Sequence, residues 1–218
     1  GVASAIGAEQ LRVYTRYSGT LAELIQWTIA DLKAVAPKAE ECGINILLEN
    51  HEDFQGAAIA EILTEVNHPN IRALYDYGNS QMVAEDPFEA LEAMLPFTTA
   101  VHMKDHLVIQ SDDQTIIQVV PFGDGLLPIM EQTERLYSSG LRRFCFENVW
   151  GYNAQVESNK PLPNTPPFKL SPANKLLDAN NLNHTEAIEL EMMAFHQAWK
   201  WFRDQLKSHN YRITRHVR

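Results

Sequence analysis

The chain has 218 residues, 45% hydrophobic and 21% charged, and its 28 acidic against 18 basic side chains leave a formal net charge of -10. That length suits one domain with a sizeable core, whereas the charge argues against a nucleic-acid partner, since phosphate binding needs clustered Lys and Arg and these cluster only from Arg212 to Arg218. The apolar runs are too short for a bilayer, no basic segment leads an apolar stretch, and Cys42 at an expected helix end and Cys145 in an expected buried strand suit free thiols in the cytoplasm.

Short apolar runs alternate with helical periods up to about residue 150, the pattern of βα units on a parallel sheet. The first predicted strand, Leu11 to Thr15, leads to a helix opened by the capping box Thr20/Glu23, with Leu21, Leu24, Ile25, Thr28, Leu32 and Val35 on its inward face. Ile44 to Glu49 is the second strand and Ala57 to Val66 its helix. Ile71 to Asp76 is the third, followed by a helix that Asp86 caps, Pro87 opens and Glu89 supports. The fourth, Thr99 to Met103, precedes a polar excursion at Ser111, Asp112 and Asp113, the segment Pro121-Phe-Gly-Asp-Gly125 and a helix to about Ser139. Arg143 to Glu147 is the fifth strand.

Residues 151–183, with Pro161, Pro163, Pro166, Pro167 and Pro172, read as one long loop, either a lid, a subunit contact or a segment without fixed structure. Asn183 with Glu186 then caps a terminal helix over 184–207 that turns Ala187, Leu190, Ala194, Ala198 and Trp201 inward.

Parallel-sheet enzymes place their chemistry at the carboxyl ends of strands. The period of two puts Ile44, Ile46 and Leu48 on one face and Leu47, Glu49 and His51 on the other. The same parity sends Asp76, then His102 with Lys104, then Arg143, Cys145 and Glu147 into a common mouth. Three carboxylates gathered there repel one another, and a bound cation is the simplest compensation. This oxygen-rich set with one imidazole favours Mn²⁺, Mg²⁺ or Co²⁺, with Zn²⁺ as an alternative.

Each residue also has a plainer role. Glu49 could cap a helix or pair with an arginine; Asp76, before Gly78, could form an Asx turn; His102 could be a satisfied core histidine; Glu147 could pair with Arg143. His51 could be an exposed loop histidine, and Lys104 could simply pair with Glu147. Gly123 and Gly125 read better as a tight turn than as a phosphate cradle. Trp150 and Tyr152 could line a pocket or pack under the loop.

The segments Leu47-Leu-Glu-Asn-His51, Leu74-Tyr-Asp-Tyr-Gly-Asn79, Val101-His-Met-Lys-Asp105, Pro121-Phe-Gly-Asp-Gly125 and Phe146-Glu147 together resemble the xylose-isomerase-like TIM barrels, in particular the sugar phosphate isomerase/epimerase group. The resemblance implies one TIM-barrel domain over 1–218, the C-terminal part of a barrel whose first three strands lie outside this sequence. It implies Glu49, Asp76, His102 and Glu147 as ligands of one divalent metal ion, Glu49 and Glu147 as catalytic proton carriers, and His51 and Lys104 as substrate-binding residues. The expected reaction is isomerisation or epimerisation of a ketose-like sugar through a metal-stabilised enediolate. A metal-dependent dehydratase acting on a keto-sugar or inosose is the alternative, and a non-catalytic metal-binding barrel subunit a second. The expected partner is a small-molecule carbohydrate, with no nucleic acid and no membrane, and a homo-oligomer stays open.

Overall fold

In the computed structural model, which describes residues 1–15, 18–111, 114–147, 149–156 and 182–213, the apolar runs pair side by side as parallel strands. In chain order the elements are α1 (Val2–Ala5), β1 (Gln10–Val13), α2 (Leu21–Cys42), β2 (Asn45–Glu49), α3 (Gly56–Val66), β3 (Ile71–Asp76), α4 (Asn79–Met82), α5 (Pro87–Met94), β4 (Thr98–Met103), β5 (Asp105–Ser111), β6 (Gln114–Val120), α6 (Ile129–Ser138), β7 (Cys145–Phe146), β8 (Asn153–Gln155) and α7 (His184–Ser208). Strands β1, β2, β3, β4 and β7 stand in that order as an open half-barrel, while β5, β6 and β8 form a second, antiparallel sheet.

Side-chain alternation decides which face of the large sheet is covered. Ile46, Leu48, Ala73, Tyr75, Val101 and Met103 pack in one core with Leu32 and Ala36 of α2, Ile59 and Ile62 of α3, and Leu91 and Met94 of α5. Burying each large aliphatic side chain contributes roughly 1.5–3 kcal/mol. The other parity, Leu47 and Glu49 on β2 and Leu74 and Asp76 on β3, is left for the concave face.

The caps hold as the sequence predicts. Thr20 and Glu23 close a capping box on α2, and Asn183 and Glu186 close one on α7. Asp86 accepts the amides of Phe88 and Glu89, with Pro87 in the first turn of α5.

Several expectations need correction. The stretch 105–120 is a β-hairpin, not a polar excursion alone; Val108, Ile109, Ile117 and Val119 are all buried, so its strands show no alternation to read. Its tip residues 112 and 113 lie outside the described residues. The fifth parallel strand is only Cys145–Phe146, because ladder pairing with β4 stops at His102↔Cys145 and Met103↔Phe146, and Cys145 is exposed rather than buried. Leu21 and Val35 are exposed. Leu21 is the first residue of α2, and Val35 lines an uncovered groove with Leu11 and Val13 beside β1. Of the expected loop 151–183, residues 157–181, with all five named prolines, lie outside the described residues. Among the described residues no helix is long and apolar enough to cross a membrane.

Candidate metal centre at the strand ends

Register brings the acidic strand ends level. Asp76 of β3 is the direct ladder partner of His102 of β4, Glu49 ends β2 opposite Leu74, and the Glu147 amide donates to the Met103 carbonyl at 2.9 Å just past β7. A β-bulge between Ala73 and Leu74 skips Thr99, and this slip keeps Ala100 and His102 in step with Leu74 and Asp76. As a result one ligand atom from each of Glu49, Asp76, His102 and Glu147 lies within 4.8 Å of every other. Glu49 and Asp76 are buried, and His102 and Glu147 half-buried.

The two glutamates are arranged alike. His102 Nδ1 lies 3.0 Å from Glu49 Oε1 and 3.4 Å from Glu147 Oε1. The remaining oxygen of each is held by a cation: Arg12 Nε reaches Glu49 Oε2 at 2.6 Å, and Lys104 Nζ reaches Glu147 Oε2 at 2.9 Å. Lys104 also lies 3.1 Å from Asp76 Oδ2 and donates to Asn79 Oδ1 at 3.0 Å. The chain's own Arg12, His102 and Lys104 therefore already offset part of the repulsion that a bound ion was expected to relieve.

Several of the plainer roles coexist with the cluster because each acid has two oxygens. Asp76 does form a turn, its Oδ1 accepting the Gly78 and Asn79 amides, both at 2.9 Å. Its Oδ2 faces the cluster, buried and ion-paired but with no hydrogen bond of good geometry. Glu49 has its arginine, in Arg12. Glu147 pairs with Lys104, whereas Arg143 is exposed and pairs with Glu9.

Burial pushes the Asp76 carboxyl up to about 7, opposed by Lys104 and reinforced by Glu147 and Glu49. Burial also acts against ionised Glu49 and Glu147, but His102 and Arg12 outweigh it at Glu49, and Lys104 and His102 do so at Glu147, so both stay below the usual carboxylate range. Desolvation of His102 is outweighed by Glu49, Glu147 and Asp76, which raise it.

The donor set fits a divalent cation. Neighbouring ligands of an octahedral ion at about 2.1 Å are about 3.0 Å apart, and opposite ones about 4.2 Å. The Glu49–His102 separation of 3.0 Å matches the first figure, and the 4.8 Å span is wider than the second by about half an ångström. Asp76 Oδ2, buried and ion-paired with Lys104 Nζ at 3.1 Å but without a well-aligned hydrogen bond, is a further carboxylate oxygen turned to the cluster that a cation would satisfy.

Beside the cluster lies a cavity of about 250 Å³ lined by His51, Glu52, Asn79, Lys104, Glu147, Val149 and Tyr152. His51 is thus at the mouth, stacked on Tyr14 with ring centroids 4.5 Å apart. Tyr152 is exposed, donates to Glu52 Oε1 at 3.0 Å and lines the cavity.

Sequence reasoning missed Arg12, Asn50, Asn79 and the anchoring work of Asp105. Asn50 returns its side-chain amide to the backbone of Asp76, accepting its N–H at 2.7 Å and donating to its carbonyl at 3.1 Å. Asp105 Oδ1 accepts the His106 and Leu127 amides at 2.9 and 3.1 Å, and Oδ2 those of Gly123 and Gly125 at 2.9 and 3.1 Å. The amides of the Gly123–Gly125 turn are thus spent on the chain's own carboxylate and do not cradle a phosphate. A charged residue inside the short apolar strand Leu11-Arg-Val was the available signal for Arg12.

The profile of the xylose isomerase-like TIM barrel family matches residues 2–167, and the chain belongs to that family. It is 25% identical over 209 residues to "Uncharacterized protein YihM" of Escherichia coli (strain K12), an alignment covering 86% of this chain and 64% of the relative. The chain therefore spans less than two thirds of that relative's length. Among solved structures, a D-tagatose 3-epimerase-like protein shares the fold at TM-score 0.54 and 23% identity, over 66% of this chain and 57% of that one. A xylose isomerase-like TIM barrel protein from Mycobacterium smegmatis in complex with magnesium does so at TM-score 0.56 and 17% identity, over 67% and 56%.

Proposed function

We propose that this chain forms the metal-binding part of an enzyme that isomerises or epimerises a ketose-like sugar or sugar derivative by proton transfer. The observation that carries the reading is the convergence of Glu49, Asp76, His102 and Glu147 from four successive strands on one point, beside an open cavity. Those four residues would hold one divalent ion, with Mn²⁺, Mg²⁺ or Co²⁺ favoured by the oxygen-rich set and Zn²⁺ as an alternative. When bound, such an ion polarises a carbonyl and an adjacent hydroxyl oxygen and so acidifies the C–H bond beside the carbonyl.

The chain's own groups supply the rest. Glu147, half-buried at the cavity wall, can take a proton from a sugar held there. Glu49, against the same His102 nitrogen, is the second proton carrier. His51 lines the cavity as a contact for sugar oxygens; Lys104 lines it too, and a sugar oxygen that binds there would take the place of one of its three partners, Asp76, Glu147 and Asn79. Asp76 is fixed by its turn and by Asn50 so that Oδ2 stays presented.

The test is exchange of solvent deuterium into a panel of ketoses, inososes and 3-keto-glycosides by the full protein loaded with Mn²⁺. Exchange accompanied by an isomeric or epimeric product supports the reading. Loss of water to an unsaturated ketone would replace it with a dehydratase. Stoichiometric metal binding without exchange into any member would leave a non-catalytic metal-binding subunit.

A further inference from the structure

We infer that Arg12 is a positioning residue for Glu49, and that it selects which carboxylate oxygen faces the metal centre; this rests on the function proposed above. Arg12 pairs with Leu47 in the ladder, two residues short of Glu49 and on the same face of the sheet, so its long side chain runs up the concave wall to the carboxylate. Nε and Nη2 both close on the same atom, Glu49 Oε2, at 2.6 and 2.5 Å. That leaves Oε1 to His102 Nδ1 at 3.0 Å.

The pair is not an ordinary surface salt bridge, because the Glu49 side chain is fully buried while the Arg12 side chain keeps 35% exposure. A buried carboxylate with one oxygen unpartnered would turn to find a donor. Arg12 is itself braced: its guanidinium lies 4.8 Å over the Tyr14 ring, and Tyr14 stacks on His51 at 4.5 Å with 17° between ring planes. Glu49 is thereby linked through Arg12 and Tyr14 to His51 at the cavity mouth. Arginine suits the post because a planar fork can place two N–H groups on one oxygen, which a lysine cannot.

The experiment compares the parent with Arg12→Met, Arg12→Lys and Tyr14→Leu by calorimetric Mn²⁺ titration, thermal midpoint, and kcat and KM of the deuterium exchange. Arg12→Met is expected to lose roughly 10- to 100-fold in Mn²⁺ affinity and a similar factor in kcat, with KM within about twofold. Arg12→Lys should recover part of both, and Tyr14→Leu should show a smaller loss of the same sign. An Arg12→Met protein with a lowered thermal midpoint but parental Mn²⁺ affinity and kcat would reduce the pair to a structural contact and overturn the inference. Should Arg12→Met not fold, Arg12→Lys and Tyr14→Leu decide by the same readouts. A parent that binds Mn²⁺ but exchanges no substrate sinks the proposed function while leaving Mn²⁺ affinity to judge Arg12; a parent that does neither sinks both.

Discussion

Asp105 accepts the Gly123 amide at 2.9 Å, and this contact ties the start of β5 to the turn that leads into α6. With three further amide donors the carboxylate is saturated on both oxygens. Burial pushes this carboxyl up to about 7, and the four amides oppose that rise. Asp105→Asn replaces one acceptor oxygen by an NH₂ group that faces two N–H donors. The expected cost, read at about pH 8 where the carboxylate is ionised, is about 3 kcal/mol or more, as charge-assisted hydrogen bonds are lost and buried donors orphaned. Urea denaturation of parent and variant measures it, and a difference below about 1 kcal/mol would refute the anchoring role.

Gly56 opens α3 where it meets α5. A Cβ there would stand 2.6 Å from Ala90 Cα and 2.7 Å from the Ala90 carbonyl oxygen, both backbone atoms that cannot step aside. Gly56→Ala is expected to destabilise by about 1–3 kcal/mol, against the small gain that Ala normally brings to a helix. Thermal unfolding should register a lower midpoint.

His106 is fully buried, and desolvation, with Lys104 nearby, pushes its imidazole down to about 3. Its Nε2 contacts the Gln81 side-chain amide, and its Nδ1 is buried without a hydrogen-bond partner among the described residues. A histidine with a depressed folded pKa stabilises the fold above its unfolded value of about 6.5, and that stability drains as pH falls toward the folded value. Asp76 and Asp105, both raised, act with the opposite sign over part of this window. The His106 contribution is therefore read as a difference: between pH 6 and 4 the parent should lose about 1.4 kcal/mol per pH unit more than His106→Gln. Equal slopes in pH-dependent urea unfolding would show that His106 is not held neutral.

Lys104 neutralises Asp76 and Glu147 from a nearly buried position. Lys104→Met leaves both acids without that partner and is expected to cost about 3–5 kcal/mol without added metal. A divalent ion can then take over the neutralisation, so the Mn²⁺-induced rise in thermal midpoint should be larger in Lys104→Met than in the parent. A rise no larger than the parent's would mean that Lys104 and the ion do not share those carboxylates.

Much of this arrangement was legible in the residues. Glu49, Asp76 and His102 follow from parity along long, apolar strands, and a parity argument is strong when each strand contributes five or six residues. Glu147 joined them although its strand shrank to two residues, because its amide continues the ladder to Met103. The hairpin over 105–120 was hidden because both its faces are buried in the folded chain, which erases alternation. Arg12 and Asn50 were hidden for another reason: their partners sit 37 and 26 residues away, and nothing local marks them as a pair.

The barrel strand carrying His102 runs through Lys104 straight into β5, so β4 and β5 are separated by a single residue. The chain continues there as a three-stranded antiparallel sheet, whose Val108 and Ile117 pack in a cluster with Met82 and Val156. Lys104, which lines the cavity, is thus flanked along the chain by two sheet ladders. A change that displaces the Asp105↔Val120 end of the hairpin therefore acts one residue from Lys104, without an intervening loop to absorb it.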